Sequence, residues 1–160
     1  ALQEAGAEFG IRNVGMRAMD SMRLEKSYRL WGTDLNAENS ALEANLQRFV
    51  KLNKGEFTGR QALIEQQEQG VFNKFCTIEI EANDADSFGN EPIIIDGKVV
   101  GRGTSGGYGH FIRKSLMLGY IESGHAYIGQ ECEVRLLDKL LPAKIIAESP
   151  YDPENIALKA

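Results

Sequence analysis

Residues 101–106, Gly-Arg-Gly-Thr-Ser-Gly, spell G-x-G-x-x-G directly after an apolar strand pattern. In a parallel strand–helix unit that spacing holds a dinucleotide's pyrophosphate against a helix N-terminus. Here the pattern of a hairpin, Ile93 to Val100, precedes the glycines, and Gly-Gly-Tyr-Gly-His follows them with no helical period. The glycines therefore read as bends and close backbone approaches where a small barrel turns a corner. Ser105, Ser115 and His110 bring hydroxyls near an imidazole in sequence, but no G-x-S-x-G elbow accompanies them. Cys76 and Cys132 stand far apart with only His110 and His125 as imidazoles, too few ligands for a zinc or iron–sulfur site. No metal is expected. Both cysteines fall at alternating apolar positions and read as reduced core thiols. The two histidines read as turn or surface residues, and Arg113-Lys114 as a solvated basic pair.

The elements that must position these residues change character near Gly70. Before it, Met16, Met19 and Met22 recur every third residue after Gly15, which predicts a helix to about Lys26 with the methionines on one face. Tyr28 and Leu30 suggest a short strand, ended by a Gly32-Thr33-Asp34 turn. Ser40-Ala41-Leu42-Glu43 has capping-box spacing and predicts a helix start. Leu42, Leu46, Phe49 and Val50 continue a helical stripe, although residues 49–52 fit a strand equally. A second box, Thr58 to Gln61, follows Phe57, and with Gly70 as terminator it predicts a helix over 59–69.

After Gly70 the apolar period drops to two. Cys76, Ile78 and Ile80 alternate with Thr77, Glu79 and Glu81, as in a strand with one solvated face. The same alternation returns in Cys132-Val134-Leu136 and Ala143-Ile145-Ala147, and Asp96-Gly97 suits a type I′ turn between Ile95 and Lys98. Five or six strands without intervening helices point to an antiparallel barrel or sandwich.

At 160 residues, 42% hydrophobic and 26% charged, the composition is that of a globular protein able to build a core. A net charge of −5 removes the attraction phosphate backbones require, so nucleic acid is not an expected partner. No apolar run approaches the ~18 residues of a membrane helix, so no membrane is expected either. The opening ALQEAGAEFG is acidic where a secretory or transit peptide would be basic, so no export signal is read there and a cytoplasmic location is expected.

Three stretches in fixed order carry a family likeness: SMRLEKSYRLWG at 21–32, FVKLNKGEFTGRQAL at 49–63 and DGKVVGRGTSGGYGHFIRKSLMLGYI at 96–121. On these the chain resembles the C-terminal part of the glycine-cleavage T-protein (aminomethyltransferase) superfamily, and within it the folate-binding end of dimethylglycine and sarcosine dehydrogenases. The resemblance implies an α+β fold: residues 1–70 are the end of the T-protein folate-binding fold, and residues 71–160 its antiparallel C-terminal β-barrel. It implies a larger flavoenzyme, whose FAD half oxidises an N-methyl amine while the T-protein-like half lets tetrahydrofolate capture the one-carbon unit. The expected partners are folate and the upstream part of the same polypeptide, where FAD would bind. A flavin-free aminomethyl- or methyltransferase, and a non-catalytic packing module, remain as alternatives.

What the resemblance implies for single residues is narrower. Relatives carry an A-R-D stretch whose arginine faces the folate; here it is Ala18-Met19-Asp20, and Met19 in that place is similar to the dehydrogenase branch. Arg48 stands where relatives put an aromatic residue lining the pterin cavity. It either stacks on a ring or pairs with the ligand's glutamate tail, or else it lies on the surface. Arg23 of the R-L-E motif and Trp31 are the other folate-binding candidates. Their structural readings are a helix-to-strand bridge through a carboxylate for Arg23 and a large core anchor for Trp31. The family's acidic catalyst and pterin-gripping glutamate lie upstream of anything matching Ala1 onward, so no catalytic residue and no turnover are expected here.

Overall fold

The structure is a computed structural model that describes residues 1–159. Six strands, β1 (Asn73–Ile80), β2 (Pro92–Ile95), β3 (Lys98–Gly109), β4 (Lys114–Glu122), β5 (Glu131–Leu136) and β6 (Lys139–Ile146), close into an antiparallel barrel in the order β1-β4-β3-β2-β5-β6. Closure gives every strand two neighbours. Both two-residue hairpins are of the type I′ kind, with positive φ at each central residue: Asp96 (50°) with Gly97 (74°), and Leu137 (47°) with Asp138 (62°). The first is signalled by its Asp-Gly pair; the second places ordinary side chains in the left-handed region and carries no such signal.

Ile78, Ile80, Ile93, Met117, Ile121 and Val134 fill the barrel interior, with Cys76 and Cys132 buried among them as free thiols. Burial pushes the thiol of Cys76 up to about 12 and that of Cys132 to about 11, so both stay protonated. A second core lies on the outside of the same wall, where Phe75, Leu116, Leu118 and Tyr120 pack against Leu24. This corrects the expected solvated face of β1, since Thr77 is fully buried and only Glu79 and Glu81 retain the outward polar role. β4 is buried on both faces for most of its length. Gly119 lets it cross β3 closely: a Cβ there would meet the Arg102 carbonyl oxygen at 2.5 Å. That is the close approach expected of the barrel's glycines.

Covering the outer wall is helix α2 (Met16–Glu25), preceded by the short α1 (Leu2–Gly6). α2 ends in a Schellman motif: Ser27 takes φ of 54°, Ser27 N–H bonds Leu24 O (2.9 Å), and Tyr28 N–H bonds Arg23 O (2.8 Å). Serine rather than glycine occupies the left-handed position because its hydroxyl is used, sharing a hydrogen bond with Thr77 Oγ1 (2.7 Å) and accepting from Ser149 N–H (2.9 Å). α3 (Arg60–Gln69) forms as expected, but Gly59 rather than Thr58 is its N-cap and no side chain caps it. The Ser40–Glu43 box does form, with Ser40 N–H to Glu43 Oε2 at 2.8 Å and Glu43 N–H to Ser40 Oγ at 3.1 Å. It starts only one turn, because Asn45 enters the left-handed region (φ 58°). Residues 47–49 form a 3-10 turn, neither the helix nor the strand expected there, and the strand expected at Tyr28–Leu30 is reduced to a single Trp31–Leu35 bridge. A four-residue helix α4 (Ile156–Lys159) closes the described chain.

Candidate functional site

The three residues of the R-L-E motif are the points at which α2 grips the barrel. Arg23 Nη1 donates to Asp34 Oδ2 (2.9 Å), to Tyr28 O (3.2 Å) and to Ser105 Oγ (3.3 Å), while its Nε donates to Asp20 Oδ1 (3.0 Å). Leu24 enters the second core at 1% exposure. Glu25, also buried, accepts the Phe111 and Ile112 N–H groups on Oε1 at 2.7 and 3.0 Å, holding the β3–β4 turn. The last turn of α2 is thus tied to the barrel by three consecutive residues: by charge through Arg23, by apolar packing through Leu24 and by a carboxylate cap through Glu25.

Asp34 is the pivot of this arrangement. Its side chain is fully buried, and four donors meet it: Arg23 Nη1, Leu30 N–H (2.9 Å), Ser105 Oγ (2.7 Å) and Thr104 Oγ1. Thr104 and Ser105 are consecutive strand residues and would ordinarily point to opposite faces. The register shift between Gly103 and Ser105 is a β-bulge, and it brings both hydroxyls to one carboxylate. Tyr120 Oη also donates to the Asp34 carbonyl (2.8 Å), and desolvation pushes this phenol up to about 12, keeping it a donor. A buried carboxylate is tolerated only when so fully paired. Sequence reading missed Asp34 as anything beyond a turn residue; the signal available was its place after Trp31-Gly32-Thr33, within reach of the R-L-E arginine.

Between α2, the bulged part of β3 and residues 86–88 lies a groove of about 490 Å³. Arg17, Asp20, Arg23, Asp86, Tyr108 and His110 supply its titratable lining. These do not form a nucleophile–base pair: Ser105 Oγ is committed to Asp34, and the His110 ring stacks edge-on to Tyr108 with centroids 5.1 Å apart. Among the described residues no cluster of His, Cys, Asp and Glu can hold a metal ion. The only buried side-chain polar atom left unpartnered among the described residues is Ser115 Oγ, on β4. The arrangement can orient and bind a ligand.

Of the four residues expected at a folate wall, the structure brings Arg23 into this groove, flanked by Leu30 and Thr33. Met19 lies half exposed with Met16 and Met22 on the outward face of α2. Trp31 is 77% exposed, which corrects its reading as a core anchor. The physical reason is the tight Leu30–Leu35 turn wrapped around Asp34, with Asp34 N–H and Leu35 N–H both bonding Leu30 O, which turns the indole outward. Arg48 is separate from this face, exposed on the 3-10 turn with its guanidinium 4.6 Å from the ring centre of Phe49. The G-x-G-x-x-G stretch lies inside β3 and starts no helix, so these residues do not fit a dinucleotide.

Comparison with known proteins matches this architecture. The family described as GCVT N-terminal domain matches residues 1–54, and the glycine cleavage T-protein C-terminal barrel domain matches residues 73–152. Human mitochondrial dimethylglycine dehydrogenase is 44% identical over 149 residues, 92% of this chain and 17% of that protein. An aminomethyltransferase of Caldanaerobacter subterraneus subsp. tengcongensis is 35% identical over 148 residues, 92% of this chain and 39% of its own length. The chain thus spans well under half of either relative. The crystal structure of the glycine cleavage system aminomethyltransferase T from Bartonella henselae superposes with a TM-score of 0.81 at 23% identity, covering 88% of this chain and 40% of that one. With a closed six-stranded barrel over the matched second half and the R-L-E helix locked to it, the chain belongs to the glycine cleavage T-protein family.

Proposed function

We propose that this chain is the C-terminal folate-binding portion of an FAD-dependent N-methylglycine dehydrogenase, acting on dimethylglycine or sarcosine and passing the one-carbon unit to tetrahydrofolate. The observation that carries the reading is the outward face of α2. Met16, Met19 and Met22 expose half or more of their surface on a helix held to the barrel by Arg23, Leu24 and Glu25, and Trp31 is exposed as well. Such an apolar, polarizable face suits the flat ring of a pterin. Met19, Arg23 and Trp31 would hold that ligand, and Arg48, which lies apart, would reach at most its glutamate tail. When bound, tetrahydrofolate supplies a nitrogen nucleophile for a one-carbon unit at the formaldehyde level. The residues of this chain bind and orient it, and they exclude water through the apolar face. They offer no group to move a proton at the reacting nitrogen. Residues 1–70 complete the folate-binding unit and residues 71–160 brace it. FAD and the acid–base residues belong to the upstream part of the same polypeptide, in the cytoplasm or, in a eukaryote, the mitochondrial matrix. Identity favours this reading over a flavin-free aminomethyltransferase, 44% against 35%.

The test is kinetic. The 160-residue chain is expected to show no demethylation of sarcosine or dimethylglycine with tetrahydrofolate present, while a longer form including the upstream polypeptide turns over and its Trp31 emission is quenched by tetrahydrofolate. Turnover by the 160-residue chain alone, or a longer form that binds no flavin, overturns the proposal.

A further inference from the structure

A second groove of about 610 Å³, sharing no lining residue with the groove beside α2, runs between residues 42–47, the C-terminal half of α3 and the wall made by β1 and β6. Its size falls in the ~300–1,000 Å³ range of small-molecule sites. Leu42, Val71, Ile128 and Ile146 give it an apolar lining, and Ile128 is 71% exposed at its rim. Its polar groups divide into two kinds. Glu148, the groove's carboxylate, is already paired: its Oε1 accepts from Arg29 Nη2 and Asn45 Nδ2, each at 2.6 Å. Lys74 pairs with no carboxylate among the described residues, and the carboxamides of Gln66 and Gln67 make no hydrogen bond among them either. The groove therefore offers one free cation and two free amides beside an apolar surface, while its negative charge is neutralised internally.

We propose that this groove binds an amphiphilic monocarboxylate, with the carboxylate on the Lys74 ammonium and the Gln66 and Gln67 amide donors, and the hydrocarbon body along Val71, Ile128 and Ile146. Charge complementarity selects this class: an amphiphilic cation would meet Lys74 in repulsion, and a neutral alcohol would forgo the charge-assisted bond. The site is separate from the α2 face and stands independently of the folate reading, because none of the residues named above belongs to that face.

The test is calorimetric titration of the 160-residue chain with octanoate, octanol and octylammonium at moderate ionic strength. Octanoate is expected to saturate one site and to bind at least about tenfold more tightly than either analogue, the margin of one charge-assisted hydrogen bond. Lys74→Gln, a change at an exposed side chain, is expected to bring octanoate down to the octanol level. Ile128→Asp, likewise exposed, is expected to weaken octanoate and octanol together. Circular dichroism on both variants checks that the barrel is intact. Non-saturating octanoate, equal binding of octylammonium, or an unchanged octanoate affinity in folded Lys74→Gln overturns the proposal.

Discussion

Replacing Asp34 with alanine tests the central claim that a buried carboxylate locks α2 to β3. The substitution leaves Arg23, 15% exposed, without its principal counter-charge, and it orphans the Leu30 N–H and the hydroxyls of Thr104 and Ser105. Removing one partner of a buried pair costs about 3–5 kcal/mol, since the remaining charge stays desolvated. Arg23 keeps Asp20 at 3.0 Å and the Tyr28 carbonyl at 3.2 Å, which places the charge cost near the lower end, ~3 kcal/mol. The stranded donors add about 1 kcal/mol, because Thr104 keeps Leu118 O as an acceptor. A total near 4 kcal/mol is a large part of the roughly 5–15 kcal/mol that holds a domain. With a urea slope of about 2 kcal/mol per molar, the midpoint is expected to fall by about 2 M. Arg23→Met and Asp34→Ala are expected to be strongly non-additive, since the second change removes a charge the first has already left without a partner. Equilibrium urea unfolding followed by far-UV circular dichroism measures both. A midpoint shift below about 0.3 M for Asp34→Ala, or additive effects in the double variant, would refute the clamp.

Trp31→Ala is expected to leave stability within about 0.5 kcal/mol, as its indole is largely in solvent, while weakening tetrahydrofolate binding in the longer protein; thermal melts and ligand titration check the two halves separately. Gly119→Ala forces a Cβ against the Arg102 carbonyl oxygen and the Gly103 Cα in the β3–β4 crossing, and is expected to cost about 1–3 kcal/mol in urea unfolding. The thiols of Cys76 and Cys132 are raised in the fold to about 12 and about 11 from an ordinary value of 9.0. Above pH 9 the unfolded chain loses protons that the native state keeps, so this contribution to stability is fully present below pH 9 and is lost progressively as pH climbs toward 12. Urea midpoints across pH 8–10.5 check the sign, and iodoacetamide at pH 8 is expected to modify neither thiol until denaturant is added.

The chain's periodicities carry most of the barrel. Alternation in Cys76-Ile78-Ile80 and Cys132-Val134-Leu136 marks inward faces because a strand repeats every two residues, and Asp96-Gly97 names its own turn. The α2 helix is legible from its methionine spacing, and α3 from the Thr58–Gln61 spacing and its Gly70 terminator, although no side chain caps it, because both signals act over a few neighbouring residues. The R-L-E, Trp-Gly and Gly-x-x-Thr-Ser-Gly stretches are legible as a set, and they point to the family that the matches over residues 1–54 and 73–152 show.

What sequence could not settle is where those faces meet. Trp31 has the composition of a core residue, yet the turn around Asp34 leaves it in solvent; Thr77 has the composition of a surface residue, yet the second core and Ser27 cover it. Asp34 becomes the pivot only because a bulge seventy positions later in the chain turns two successive hydroxyls the same way. Local spacing encodes the repeat of an element and the residues that can start or stop it. Which face is buried, which carboxylate is paired and which groove keeps a free cation depend on contacts between segments distant in sequence, and only the closed barrel with α2 docked on its wall decides them.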